Sequence, residues 1–426
     1  MAGFQARSSF LNHWLLTEVI AATCRVLNLC CINSSKPSIT KGIASFYFLF
    51  LRADLHRPHP PKHLPMTAND IQKNIENAFR TQVRKDKRVR NAYLLVDSDK
   101  LDISMNLAEG KTGDLPASTA QPLHLASVGK LFTATLISIL YEQGKLDFKD
   151  PIHKHLDREI MKGLHVYKGR DYSGEIQVRH LLMQTSGLSD VFFDLMEKLR
   201  KDPDFSIETR EAVQWGKENL KPVAPPGKKH HYTDTNYYLL GFIIEEITGM
   251  KFHEAMHHYI FGPLGMKHAF CFGFSRPETE SPHPMAGLYI RDTDFLSVKG
   301  IHLIDYAGGS ITAPLPDYLV FMKALVNGEI IGKETLDIML NDSVNMGFPS
   351  IAFNYGHSIW KMKTIPVLMP KNTYSWGCVG VTGAFMFHHP LTESFIIGSF
   401  NDFAYRGKAL DFMARKVIRQ LLKLQG

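Results

Sequence analysis

Ser127-Val128-Gly129-Lys130, continued by Leu131-Phe132-Thr133-Ala134-Thr135-Leu136-Ile137-Ser138-Ile139-Leu140, puts a hydroxyl and an amine three residues apart at the head of an apolar segment. Residues three apart on a helix lie one above the other, so the Lys130 amine can reach the Ser127 hydroxyl. The free N–H groups of a first helical turn also favour negative charge developing beside them. The run that follows is apolar nearly all round, the mark of a helix buried at a domain centre, and Gly144 offers a stop. A serine mounted there is held rigidly, with its activating amine beside it.

The same spacing recurs at Ser38-Ile39-Thr40-Lys41 and at Ser358-Ile359-Trp360-Lys361. Ser38 follows Pro37 in a segment without periodicity. Ser358 lies within Tyr355-Gly356-His357-Ser358-Ile359-Trp360-Lys361-Met362, which reads as a strand, where positions three apart face opposite sides of a sheet. Ser127 alone opens a helix.

The chain of 426 residues is 44% hydrophobic and 21% charged, the composition of one large globular domain or two intimate lobes. Its formal charge of +7 is unevenly spread, because residues 1–65 hold seven Lys or Arg against two acids. Residues 66–426 are therefore near neutral and lack the basic footprint of a nucleic-acid partner. The apolar stretch 11–32 carries His13, Glu18 and Arg25, and 43–51 is short, so no membrane span is expected. Residues 53–65 form a Pro- and His-rich linker in which His56, His59 and His63 reflect composition rather than a metal site. We expect residues 1–65 to be a basic, transit-like N-terminal extension and 66–426 to be the working domain. Of five cysteines, Cys24, Cys30 and Cys31 lie in that extension; Cys271 and Cys378 are expected as free thiols, with a reducing, cytoplasmic setting.

Along the body, Thr67 to Asp70 supplies capping residues for a helix whose apolar positions are Ile71, Ile75, Ala78, Phe79 and Val83. Residues 91–96 and 101–107 read as a hairpin around Asp97-Ser98-Asp99-Lys100. Short helices follow at 178–188 and 236–247, strand-like runs occupy 350–400, and an amphipathic helix spans 408–424. Strands near both ends with helices between predict an α+β fold: an antiparallel sheet built from the two chain ends, with a helical lobe inserted.

Five segments in order carry a resemblance. Ala126-Ser127-Val128-Gly129-Lys130-Leu131-Phe132, Val178-Arg179-His180-Leu181-Leu182-Met183-Gln184-Thr185-Ser186-Gly187-Leu188, Tyr232-Thr233-Asp234-Thr235-Asn236-Tyr237-Tyr238-Leu239-Leu240-Gly241, Pro263-Leu264-Gly265-Met266 and Ala307-Gly308-Gly309-Ser310 together resemble the serine hydrolases of the class C β-lactamase family, with its esterases and DD-carboxypeptidases. The resemblance implies a β-lactamase/transpeptidase-like fold without metal or cofactor. It gives Ser127 the role of nucleophile in an acyl-enzyme, Lys130 that of its hydrogen-bonded partner, and Tyr232 that of proton shuttle. Free tyrosine and lysine titrate at about 10 and about 10.4, so both need shifted values to act near neutrality. The backbone N–H groups of Ser127 and Ala384 would form the oxyanion hole. Asp234, Thr382 and Gly383 would contact substrate.

Two positions depart from the family pattern. Val381, in Gly380-Val381-Thr382-Gly383-Ala384, stands where a cation would bind the carboxylate of a β-lactam or peptide terminus. Asp234 stands where asparagine is usual; it reads either as a cap of the following helix or as a carboxylate that keeps Lys130 protonated and moves the base role to Tyr232. Small-molecule ester or amide substrates therefore rank first. The alternatives are β-lactamase or DD-peptidase activity on anionic substrates, a catalytically silent binding module of the same fold, and a zinc hydrolase through His253-Glu254-Ala255-Met256-His257. In the last, Phe252, Ala255, Met256, Tyr259 and Ile260 form the apolar face and leave Glu254 opposite it, toward solvent. His180 reads as a core residue. Phe192, Phe193, Trp376 and Phe385 are candidates either for the core or for an apolar acyl pocket.

Overall fold

A computed structural model describes residues 66–426 apart from 203, 291–292, 349, 365–371, 404 and 426. The extension 1–65 and its linker, including the Ser38 motif and the three histidines, lie outside the described residues. Helix α1 (Ala68–Lys85) opens as its sequence demands: Thr67 and Asp70 form a reciprocal capping box, and Ile71, Ile75, Phe79 and Val83 are buried in one stripe.

Nine strands make the main sheet. They are β1 (Asn91–Ser98), β2 (Ile103–Thr112), β3 (Leu115–Pro116), β4 (Val344–Asn345), β5 (Phe353–Tyr355), β6 (Trp360–Met362), β7 (Ser375–Val379), β8 (Ala384–His389) and β9 (Ser394–Ser399). Their spatial order is β4-β5-β6-β7-β8-β9-β1-β2-β3, and every pairing is antiparallel. The first hairpin meets the last strand at its centre, with Leu95 opposite Ile397, so the sheet closes only when both chain ends are present. This is the α+β architecture expected from the sequence. The hairpin turn lies two residues later than expected: a 3₁₀ turn over Asp99–Leu101 and a left-handed Asp102 separate the strands, and the Ser98 hydroxyl accepts the Leu101 N–H.

The segment read as one strand through Ser358 is corrected by the structure. β5 ends at Tyr355 and β6 begins at Trp360, with Ser358 in the turn at φ +61°. The turn closes through Gly356 N–H to Ile359 O at 2.8 Å, and Ser358 N–H is donated to Leu182 O at 3.0 Å. A second serine–lysine pair is thus disabled by a sharp bend rather than by strand alternation.

The inserted region carries the buried helix α2 (Gly129–Glu142), preceded by a 3₁₀ turn at Ala126–Val128. Around it lie α3 (Val178–Leu182), α4 (Phe192–Lys201), α5 (Thr235–Thr248) and α6 (Ile301–Gly309). Helix α2 is buried along almost its whole length; Phe132 stacks on Phe321 at 3.7 Å between ring centroids, and Thr133, Thr135 and Ser138 satisfy their hydroxyls on backbone carbonyls. Polar side chains in this helix are therefore compatible with full burial. Helix α7 (Arg406–Phe412) begins the C-terminal helical segment. Among the described residues no helix is long and apolar enough to cross a membrane.

Candidate active site

Ser127 lies in the 3₁₀ turn and Lys130 in the first turn of α2, and the Lys130 Nζ donates to Ser127 Oγ at 3.1 Å. The same ammonium donates to Gly308 O at 2.8 Å and to Asp234 Oδ1 in a short ion pair. Its three protons are thereby directed to three acceptors, and the side chain is 1% exposed. Burial disfavours the charge, but the carboxylate of Asp234 outweighs it, with Tyr237 and Asp305 adding to the effect, so the lysine pKa is raised.

Asp234 precedes α5, yet its side chain makes no capping bond. The helix-cap reading is therefore corrected: the carboxylate turns inward to Lys130 instead. Asp234, expected as a substrate contact, is buried against Lys130.

Tyr232 sits over the lysine, with Nζ 5.4 Å from its ring centroid; Tyr237, in the first turn of α5, has its ring centroid 4.7 Å from the same nitrogen. The Tyr232 phenol is held far above its ordinary pKa by burial and by the charge of Asp234, while the Ser127 hydroxyl and the positive charge of Arg406 act the other way. It is thus kept in its neutral, proton-donating form. Gln184 fixes the whole turn: its side-chain oxygen accepts Thr233 N–H at 3.0 Å and Asn236 Nδ2 at 2.7 Å, and its carbonyl accepts His231 N–H at 2.8 Å. Ser186 adds a bond to Asn236 at 2.6 Å. Two of the sequence motifs are therefore halves of one clamp.

Thr382, Gly383 and Ala384 lead into β8, which packs beside the serine turn. A side chain built at Gly380 would lie 2.9 Å from Ala384 Cβ and 3.4 Å from Ala126 Cβ, so the loop and the serine turn converge there. Thr382 Oγ1 is buried and has no hydrogen-bond partner among the described residues. The loop is tied to the chain beyond β9 by Phe400 N–H to Gly383 O at 3.3 Å and Asp402 N–H to Thr382 O at 3.1 Å.

The Ala307-Gly308-Gly309 segment shows why side chains are excluded there. A Cβ at Gly308 would stand 3.2 Å from Lys130 Nζ and crowd the Asp234 carboxylate; one at Gly309 would collide with Asp305 and stand 3.1 Å from the Ala126 carbonyl.

Several residues of the site were not singled out from the sequence. Asp190 accepts the Asp234 N–H at 2.9 Å and is pushed up to about 7 by burial and by the neighbouring Asp234 charge. Its signal was available as the one acid of the Thr185-Ser186-Gly187-Leu188-Ser189-Asp190 run, just past the motif. Arg406, exposed at the start of α7, and Cys378, whose thiol lies 3.5 Å from Ser127 O, had no local signal. Both Cys271 and Cys378 are free and buried.

Of the four candidate aromatics, Phe192, Trp376 and Phe385 are buried, whereas Phe193 is 48% exposed and meets Phe403 edge-on at 6.1 Å. His180 is half-buried with a local task, accepting Gln177 N–H at 3.1 Å, and burial lowers its pKa to about 4. In the zincin-like motif, Glu254 accepts the Lys251 N–H at its helix start, and His257 pairs with Ser275 at 3.0 Å. Among the described residues no group of three or more His, Cys, Asp or Glu converges there to hold a metal ion.

A half-buried serine bonded to a buried lysine with a tyrosine above it, on an α+β scaffold closed by both chain ends, defines an acyl-transfer class of serine hydrolases. The family model described as Beta-lactamase matches residues 74–419, and the chain belongs to that family. A putative penicillin-binding protein of Bacillus subtilis, PbpX, is 26% identical over 246 residues, covering 55% of this chain and 55% of the relative. Protein flp of Staphylococcus aureus is 26% identical over 261 residues, covering 61% of this chain and 50% of its own length. The chain spans about half the length of these curated relatives. Among solved structures, the D-amino acid amidase of Ochrobactrum anthropi SV3 in complex with D-phenylalanine has a TM-score of 0.69 at 20% identity, covering 83% of this chain and 99% of the amidase. EstCE1, a hydrolase with promiscuous acyltransferase activity, has a TM-score of 0.65 at 17% identity, covering 84% and 99%. These structures share the fold, which is β-lactamase/transpeptidase-like.

Proposed function

We propose that this chain is a serine hydrolase acting on small esters or amides through an acyl-enzyme on Ser127. The observation that carries the reading is the buried Lys130 Nζ bonded at once to Ser127 Oγ at 3.1 Å and to Asp234. In the proposed acylation, the lysine proton shifts across the short contact to Asp234. The freed amine takes the Ser127 proton as Oγ attacks the substrate carbonyl carbon. The resulting oxyanion lies at the backbone N–H groups of Ser127 and Ala384. When the tetrahedral intermediate collapses, Tyr232 gives its proton to the departing alcohol or amine, a role suited to a phenol held neutral. The ammonium of Lys130 reprotonates Tyr232, and a water repeats the sequence on the acyl-enzyme.

The fold relatives named above include an amidase and an esterase-like hydrolase, which is consistent with this substrate class. Val381 offers no cation to a substrate carboxylate, which favours uncharged esters and amides over β-lactams and peptide termini. A fluorophosphonate should label the protein at Ser127 and p-nitrophenyl esters should turn over, with nitrocefin and a D-Ala-D-Ala peptide as slower comparators. Ser127→Ala should abolish both labelling and turnover. A well-folded protein that neither reacts with the fluorophosphonate nor cleaves any ester refutes the proposal.

A further inference from the structure

Beside the serine turn lies a second polar pair that takes no part in the proton transfers above. His124 and Asp305 are both buried, and His124 Nε2 stands 2.6 Å from Asp305 Oδ2. The other ring nitrogen, Nδ1, is 3.3 Å from the backbone N of Ala126. A backbone N–H can only donate, so Nδ1 is the acceptor; Nε2 then carries the proton and donates it to Asp305. The tautomer is thus fixed by its two neighbours.

Ala126 is the residue immediately before the nucleophile, and it has φ +49°, in the left-handed region that a residue with a Cβ normally avoids. A conformation of this kind persists only where the surroundings over-determine it. Here three features do so. The Ala126 N–H is held by His124, the chain before it is pinned by the pairing of His124 with Thr312, and Gly309 lets the Asp305 segment pass directly against the Ala126 carbonyl. The edge of Phe272 closes the imidazole from the other side at 5.7 Å. Asp305 comes from α6, 181 residues further along the chain than His124.

We propose that His124 and Asp305 are positioning residues which hold Ala126 in its left-handed conformation and so aim the hydroxyl and the backbone N–H of Ser127 at the substrate carbonyl. The inference rests on Ser127 being the nucleophile. The pair touches neither substrate nor the reacting atoms; it acts through the backbone of the serine turn. Loss of the acceptor at Nδ1 lets Ala126 relax toward φ < 0, which rotates the Ser127 N–H and Oγ together. Misplacement of a reacting group by about 1 Å costs about 100-fold in rate.

The test uses the full chain with three variants, following the second-order rate of fluorophosphonate labelling and kcat and KM for p-nitrophenyl butyrate. His124→Phe fills the same space without an acceptor. His124→Asn restores an acceptor oxygen near the Nδ1 position, and Asp305→Asn removes the charged partner that fixes the tautomer. The expected result is a fall of about 100-fold in labelling rate and kcat for His124→Phe with KM within about twofold, and recovery of at least about tenfold in His124→Asn. Asp305→Asn should fall between them, and it carries the test alone if His124→Phe does not fold. Wild-type rates in a folded His124→Phe, a loss confined to KM, or His124→Asn no faster than His124→Phe each overturn the proposal. If Asp305→Asn is the test, wild-type kcat overturns it. A wild type that reacts with no fluorophosphonate overturns the serine-hydrolase reading itself and takes this inference with it; a reactive wild type with unaffected variants overturns this inference alone.

Discussion

Asp234→Asn preserves the shape beside Lys130 and removes only the charge, so it isolates what the carboxylate does. In the wild type, burial opposes the ammonium but Asp234 reverses the balance and the lysine pKa is raised. A raised folded-state value contributes stability that is fully present below the unfolded pKa of about 10.4 and is lost only as pH rises through the folded value. In the variant the desolvation remains, opposed only by the weaker effects of Tyr237 and Asp305, and the folded-state pKa drops below the unfolded one. The sign then inverts: the variant is destabilised wherever the unfolded chain binds a proton that the folded chain does not, and it recovers as pH rises toward 10.4. The recovery slope is about 1.4 kcal/mol per pH unit. The deficit at pH 7 is capped at about 3–5 kcal/mol, the cost of leaving one buried charge without its partner. At about 2 °C per kcal/mol for a chain of this size, melting temperatures should differ by about 6–10 °C at neutral pH and converge by about 3 °C per unit on the alkaline side. Calorimetric melts of both proteins from pH 6 to 10 test this. Parallel curves with a constant gap, or no gap at neutral pH, would refute the reasoning that Asp234 sets the charge of Lys130.

Phe193 follows Asp190 by three residues and Phe403 follows Asp402, whose N–H ties Thr382; the two rings meet edge-on and Phe193 is half exposed. Phe193→Ala should lower kcat/KM for p-nitrophenyl hexanoate about tenfold, the equivalent of about 1.4 kcal/mol of lost apolar contact, and leave the acetate unchanged; an equal loss on both esters counts against an apolar subsite there. His388, buried between Trp376 and Phe395, has its pKa lowered to about 4 by burial and by His389. Its stabilising effect is full above the unfolded value of about 6.5 and is lost as pH falls from there to 4, at up to about 1.4 kcal/mol per unit. His388→Gln should therefore flatten the acid side of the stability curve, and an unchanged acid midpoint in urea melts would remove His388 from the account.

The parts of the molecule legible in the sequence are those written in short-range spacing. Ser127 and Lys130 are three apart on a helix, Thr67 and Asp70 form a local capping box, and alternating apolar runs at both ends specify a sheet that must close between them. What escaped depends on partners distant in the chain. Asp234 satisfies every local rule for a helix cap, yet Lys130, 104 residues away, is a stronger partner than the backbone N–H groups of α5. Residues 355–362 have a strand's composition, yet the Ser358 N–H is drawn to Leu182 and its hydroxyl to Tyr237, and the chain bends. The left-handed Ala126 carries no sequence signal, because alanine is uninformative about φ, and the Asp305 and Gly309 that pack against its surroundings come from a distant part of the chain. Glycines 308 and 309 were visible as a motif, but their reason appears only when three chain segments are seen to meet over them.

The charges of the site can be ordered by when they are needed. Before reaction, Lys130 and Asp234 neutralise one another in a buried space, Asp190 lies just behind Asp234, and Tyr232 is neutral. Attack by Ser127 creates one new negative charge on the carbonyl oxygen, close to an ammonium already desolvated and already aligned by three acceptors. In the proposed acylation the proton that Lys130 releases stays on Asp234, so the ammonium re-formed with the Ser127 proton is the charge that faces the oxyanion. An asparagine at position 234 would leave the lysine pKa lowered by burial, and so a weaker base for the Ser127 proton. In the proposed reaction the carboxylate that departs from the family pattern is thus bound up with the electrostatics of acylation, whereas Val381, the other departure, would bear only on what the substrate carries away from the scissile bond. Substitution at 234 should therefore act on kcat for every ester, and substitution at 381 on the choice among them.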